Sequence, residues 1–160
     1  MIRHSNLLAM VAAAWFAALS LVAGTAVAMA SLPNPCTLLV AAHAEKALDP
    51  TSSVKVGAGH LQKYGSGQFA SQTCTETVGA LTVSVSLFLQ DFSSGGVLHP
   101  TEIHPAGIGG GFIITGKSTT GTAVDNAHLH KGQVYATIAA NGATPSGLTT
   151  LSQKIYKLMP

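Results

Sequence analysis

The chain has 160 residues, of which 9% are charged, and its formal net charge is +2. After Ser31 it carries seven lysines, six acidic residues and no arginine, with no basic stripe and no polybasic run. This distribution argues against nucleic acid and against anionic lipid as partners. The stretch 31–160 has the length of a single domain and is long enough to bury a core.

The first thirty residues have the three parts of a secretory signal peptide. Arg3 lies in a short polar start, an apolar run covers 7–24, and small residues fit cleavage sites ending at Ala28 or Ala30. We therefore expect residues 1–30 to be removed during export. The alternative is an uncleaved membrane anchor, because the apolar run is close to the roughly 20 residues that a spanning helix needs.

The part after the signal peptide contains two cysteines, Cys36 and Cys74. An exported chain with two cysteines predicts one disulfide between them. The bond would close a loop of 38 residues. The chain-entropy relation gives roughly 4 kcal/mol of stabilisation for such a loop. The alternative is a pair of free, buried thiols.

The segment after the signal peptide begins with a helix signal. Asn34 and Pro35 form a cap followed by a proline at the first helical position, and Asp49-Pro50 ends the apolar spacing that predicts a helix over 36–48. The next segments are predicted as a short strand (53–57), a glycine-rich loop (59–67) and a strand that carries Cys74 (68–77).

The clearest strand pattern covers 81–89, after a turn at Gly79. Polar residues lie between the apolar ones, with Phe88 as the exception. The alternating apolar residues are Leu81, Val83, Val85, Leu87 and Leu89. This alternation predicts a strand with one face in the core and the other near water. Segment 91–111, rich in glycine and proline, is predicted as a long surface loop.

The last third predicts further strands and a closing helix. Residues 112–115 form a short apolar strand, 117–122 a turn, and 122–130 with 133–140 a hairpin turned at Lys131-Gly132. Thr144-Pro145 opens a helix with Leu148, Leu151, Ile155 and Leu158 on one face. Together these elements predict an α+β fold, an antiparallel sheet packed by an N-terminal and a C-terminal helix.

Several of these pieces resemble a class of small exported bacterial domains of unknown function. The resemblance rests on the Asn-Pro-Cys-x-Leu-Leu opening at 34–39, the alanine-rich helix, Cys74 on a strand, the alternating strand, Gly107-Ile108-Gly109, Lys131-Gly132 and the C-terminal helix. It implies an α+β fold similar to the PsbP-like sandwich, and it implies the disulfide. It implies no catalytic residues.

Residues 111–118 match the P-loop pattern letter for letter. A P-loop needs a strand before it, a helix after it and free backbone N–H groups to hold phosphate. Here Phe112, Ile113 and Ile114 indicate a core strand, and Thr119-Thr120-Gly121 does not open a helix. We therefore predict a strand ending in a Gly-Lys turn, and no nucleotide cofactor.

Four histidines are candidate metal ligands. His128 and His130 are two apart on a predicted strand, so their rings share a face. His99 and His104 lie close together, with Glu102 between them. Imidazoles with a carboxylate suit zinc or copper. The alternative is that these histidines are solvated or packed.

The sequence contains no serine-nucleophile elbow, no Cys/His pair and no close pair of carboxylates, so we expect no enzyme. The leading hypothesis is a secreted or cell-envelope binding or accessory module with an unknown ligand or protein partner, contacted through the loop 91–111. One alternative is an accessory subunit of a membrane complex, held by a retained N-terminal helix. The other is an extracytoplasmic metal-binding protein that uses the four histidines.

Overall fold

A computed structural model describes residues 32–53, 55–90, 98–117, 120–121 and 123–160, with the backbone alone for Gln68, Leu98 and His99. The predicted signal peptide, 1–30, lies outside the described residues. So do 91–97 of the predicted loop and residues 118, 119 and 122 of the predicted turn at 117–122.

The described part of the chain forms three α-helices and seven strands. The helices are α1 (Pro35–Ala41), α2 (Ala44–Leu48) and α3 (Pro145–Leu158), and a short 3-10 turn covers Gly67–Phe69. The strands are β1 (His60–Tyr64), β2 (Ser71–Val78), β3 (Leu81–Phe88), β4 (Leu98–Ile103), β5 (Gly111–Lys117), β6 (Ala123–Lys131) and β7 (Val134–Asn141). They form one sheet in the order β1-β2-β3-β7-β6-β5-β4, and every neighbouring pair is antiparallel. The predicted α+β class with an antiparallel sheet is confirmed.

The hydrophobic core lies between the helices and one face of this sheet, which we call the inner face. Val83, Val85 and Leu87 of β3 are fully buried on it, as the alternating pattern predicts. Helix α1 contacts β2 and β3, while α3 contacts β6. Each fully buried leucine or isoleucine contributes about 2 kcal/mol relative to an exposed one, so this layer dominates the stability. The opposite, outer face carries the intervening, mainly polar residues.

The predicted helix over 36–48 is in fact two short helices that meet at His43. The backbone of His43 is left-handed, with φ 49°. Leu39 and Ala42 are buried before this break, and Ala44 and Leu48 are buried after it. On one straight helix the second pair would point away from the first, so the break lets both halves reach the core.

Three predictions in the edge regions are wrong. Of the predicted strand 53–57, the described residues are irregular, while the predicted loop 59–67 contains strand β1. Similarly, the loop prediction for 91–111 fails at β4, Leu98–Ile103. Both β1 and β4 are edge strands, and β1 has no buried residue, so its sequence lacks the apolar alternation that burial of one face produces in β3.

The structure contains the predicted disulfide, which joins α1 to β2. Cys36 and Cys74 are bonded, with 5.1 Å between their Cα atoms. Cys74 is fully buried and Cys36 is 7% exposed. Gly59, with φ +66°, packs directly on the bond: a Cβ there would lie 2.5 Å from the Cys74 sulfur.

The predicted hairpin and C-terminal helix are also confirmed. Strands β6 and β7 pair from Lys131↔Val134 to Asn126↔Ala139. The side chain of Thr144 accepts a hydrogen bond from the Gly147 N–H at 3.1 Å, which caps α3 as the sequence predicts.

Candidate functional site

The two neighbouring histidines of β6 lie on the outer face, each against a different ring. His130 stacks on Tyr135 of β7, with 4.4 Å between the ring centres, and its Nε2 lies 2.8 Å from the Gly132 carbonyl oxygen. His128 lies 5.3 Å from the Phe112 ring, and its Nδ1 is 3.4 Å from the Thr137 hydroxyl. These rings are therefore engaged with neighbouring strands.

His104 joins the same group of rings from the other side of Phe112. Its ring centre is 6.2 Å from that of Phe112, and its Nε2 is 3.7 Å from a Glu102 carboxylate oxygen. Phe112 thus contacts both His104 and His128, as an aromatic residue between two candidate ligands. The backbone of His99 lies in β4, and its side chain is outside the described residues.

Among the described residues, no group of three or more His, Cys, Asp or Glu side chains is placed to hold a metal ion. The structure brings His104 and His128 to the same phenylalanine, an arrangement typical of aromatic packing. Metal binding by His99, His104, His128 and His130 stays a prediction.

The residues that match the P-loop pattern lie in the sheet. Gly111–Lys117 is strand β5, paired with β6 along its whole length and with β4 along part of it. Its backbone groups are committed to these two ladders, so they are not grouped around a phosphate site. The predicted strand is confirmed here.

A shallow cleft of about 440 Å³ lies at the end of the sheet where the β2–β3 turn approaches the end of α2 and the start of α3. Its lining is largely apolar, with Asp49 as the acidic residue. Bonds from the Thr51 side chain and backbone N–H hold the pKa of Asp49 below its usual range. Asp49 is already engaged in this turn, so the cleft offers little polar recognition.

A mainly polar surface is formed by the outer-face residues of the first three strands. We call it the hydroxyl face, and we define it by nine of the eleven outer-face residues: His60, Gln62 and Tyr64 of β1, Thr73, Thr75 and Thr77 of β2, and Thr82, Ser84 and Ser86 of β3. The other two, Ser71 and Phe88, lie in the row of Tyr64 at the margin of this surface. The strand registers place them in cross-strand rows, such as Gln62, Thr73 and Ser86. None of the nine is Asp, Glu, Lys or Arg.

Two hydrogen bonds order side chains within the hydroxyl face. The Thr73 and Ser86 hydroxyl oxygens are 2.9 Å apart, and the Tyr64 hydroxyl donates to the Gln62 side-chain oxygen at 2.8 Å. Tyr64 is 54% exposed. Cys74 lies between Thr73 and Thr75 in β2 and points to the inner face. The disulfide therefore holds β2 from the side of the sheet opposite the hydroxyl face.

The sequence alone does not predict this surface, because the glycine-rich composition of 59–67 favours a loop where the structure has β1. The alternating Thr73, Thr75 and Thr77 were a signal of a polar strand face, as were Thr82, Ser84 and Ser86. The residues His60 to Tyr64 carry no comparable pattern, since only Leu61 among the inward residues is apolar.

Comparison with known proteins adds no relative. A scan of family models, a search of curated proteins and a search of solved structures each found no match to this chain. The resemblance to exported bacterial domains therefore stays a prediction. None of the helices in the described ranges is long and apolar enough to cross a bilayer.

Proposed function

We propose that this chain is an exported, non-catalytic module that binds a neutral glycan on its hydroxyl face. The observation that carries the proposal is the composition of that face, which is dense in hydroxyl groups and has no formally charged residue. The buried disulfide is compatible with a location outside the cytoplasm.

The charge of the face selects the class of ligand. Binding of an anionic polymer is driven by lysine and arginine, and binding of a cation by carboxylates, and the hydroxyl face has neither. Its hydroxyl and amide groups can each donate and accept, which matches a ligand that presents many hydroxyl groups of its own. A neutral polysaccharide fits both requirements.

The geometry of the face supports binding of an extended chain. Neighbouring strands are about 4.8 Å apart, and alternate residues along one strand are about 6.7 Å apart, so the hydroxyls form a regular array. At the β1 edge the exposed rings of Tyr64 and His60 add flat surfaces with an apolar body and a polar tip. Such rings can pack on the C–H faces of sugars.

The face is also held in place before any ligand binds. β2 lies between β1 and β3, and the disulfide ties it to α1 on the other side of the sheet. A rigid backbone lowers the entropic cost of binding, because fewer groups must be ordered when the ligand arrives.

The proposal is tested by electrophoresis of the full chain in native gels that contain neutral glucan, chitin-type or mannan polymers. We expect at least one of them to retard wild-type protein, and the double variant Thr75→Val/Thr82→Val to lose roughly thirtyfold in affinity, since each of the two lost hydrogen bonds costs about 1 kcal/mol. Valine keeps the β-branched shape and removes only the hydroxyl group.

The matched control is Thr37→Val, because Thr37 is exposed on α1, on the side of the sheet away from the hydroxyl face. It should bind as wild type does. Retardation by anionic polymers alone, or equal loss in Thr37→Val and the double variant, would contradict the proposal.

A further inference from the structure

We propose that two copies of this chain pair through strand β1 to form a continuous, twofold-symmetric sheet. β1 is the first strand in the sheet order, so its outer side has no strand partner among the described residues. Apart from its ladder with β2, no hydrogen bond from another described backbone group reaches His60–Tyr64. An edge with unpaired N–H and C=O groups is a template for a further strand.

The two edges of the sheet differ in their regularity. β4 contains Pro100, and its pairing with β5 shifts register between Leu98 and Thr101. A proline and an irregular register both hinder strand addition. β1 has no proline, and its five residues pair with β2 in one unbroken register. The sheet thus blocks one edge and leaves the other regular.

The sequence of β1 is complementary to itself in one register. Antiparallel partners share a face, so a twofold axis must pass through a residue of the strand. An axis at Lys63 would set two ammonium groups against each other, which is destabilising. An axis at Gln62 avoids this contact, sets Lys63 opposite Leu61, and uses all five residues.

The axis at Gln62 also sets His60 of each copy opposite Tyr64 of the other, so the dimer contains this pair two times. The structure already contains this pair: His130 and Tyr135 are cross-strand neighbours on the same outer face, and their rings stack at 4.4 Å. Gln62 lies opposite its own copy, where the two amides can donate to each other. The dimer therefore repeats a contact that this sheet already uses.

Pairing would join two hydroxyl faces into one surface across six strands. This consequence rests on the proposed function, whereas the pairing itself does not. A polymer that contacts both halves would bind more tightly than to one copy, because the second contact is intramolecular. A strand of five residues makes a small interface, so we expect the free dimer to dissociate readily.

Cysteine trapping in the full chain tests the register without any ligand. In Gln62→Cys, the two introduced thiols face each other at the roughly 4.5–5.5 Å Cα separation that a disulfide accepts. In Tyr64→Cys, the two thiols lie about 13 Å apart along the strands and cannot bond. The native cysteines are buried and already paired, so they do not compete.

We expect most of Gln62→Cys to become a covalent dimer under mild oxidation, while Tyr64→Cys stays monomeric under the same conditions. Sedimentation of Gln62→Lys should show a monomer at concentrations where wild type shows a dimer, with an unchanged melting temperature because residue 62 is exposed. Equal cross-linking of both cysteine variants, or monomeric wild type at the highest soluble concentration, would overturn the proposal. Neither result would bear on glycan binding by one copy.

Discussion

Replacing both cysteines with alanine should lower the free energy of unfolding by about 4 kcal/mol. The bond between Cys36 and Cys74 spans a sequence separation of 38 residues, and the chain-entropy relation converts a loop of that length into this value. A domain of this size is stable by about 5–15 kcal/mol, so the variant keeps a reduced but measurable stability. The melting temperature should fall by roughly 10–20 °C.

Urea unfolding followed by circular dichroism gives both the stability and its dependence on denaturant. The m-value should rise in the double alanine variant, because the unfolded chain without the cross-link exposes more surface. A second comparison uses reduced wild-type protein, which is reduced in denaturant and refolded under conditions that keep its thiols from oxidising. This sample lacks the bond but keeps both sulfur atoms. A loss below about 1 kcal/mol in both samples, with an unchanged m-value, would refute the argument from unfolded-chain entropy.

Three further predictions follow from local geometry. Gly59→Ala should cost roughly 2–4 kcal/mol in a urea melt, because the new Cβ meets the disulfide at a positive φ, whereas Gly79→Ala, with open space around it, should cost about 1 kcal/mol. His43→Val should destabilise by about 1–2 kcal/mol and His43→Gly should not, since His43 has left-handed backbone; equal effects would contradict this reading. Thr51→Val should raise the pKa of Asp49 toward its usual value, as measured in a carbon-13 carboxyl titration. Because the wild-type pKa is lowered, ionised Asp49 stabilises the fold at pH values above the ordinary Asp pKa. This stabilisation is lost as the pH falls through the lowered pKa.

The sequence predicted the centre of the fold better than its margins. The alternation in β3 and the apolar spacing in α3 reflect burial on one side only, and each pattern predicts both an element and its inner face, except that Leu158 at the end of α3 is 43% exposed. The disulfide followed from the count of cysteines and the expected compartment. The break at His43 was not predicted from the sequence. Its cause is the position of the core that both short helices cover, and the local sequence does not show that position.

The edge strands show why the candidate site could not be found from the sequence. β1 has one apolar residue facing inward, Leu61, and its strand conformation depends on pairing with β2, a contact between distant residues. The polar faces of β2 and β3 could be predicted from their sequences. The hydroxyl face, however, also needs β1 beside them, and β1 was not predicted. The sequence shows that the histidines lie near one another in the chain, but it does not show their ring partners, such as Phe112 and Tyr135, which come from other strands.

Backbone amide NMR spectra, recorded while a neutral oligosaccharide is added to the full chain, test the hydroxyl face most directly. The glycan that retards the protein in native gels supplies the oligosaccharide. We predict shifts concentrated in β1, β2 and β3, at residues such as Thr75 and Ser84, with α3 unaffected. Shifts confined to the helices, or no shift with any neutral glycan, would contradict the assignment of this face as the binding surface.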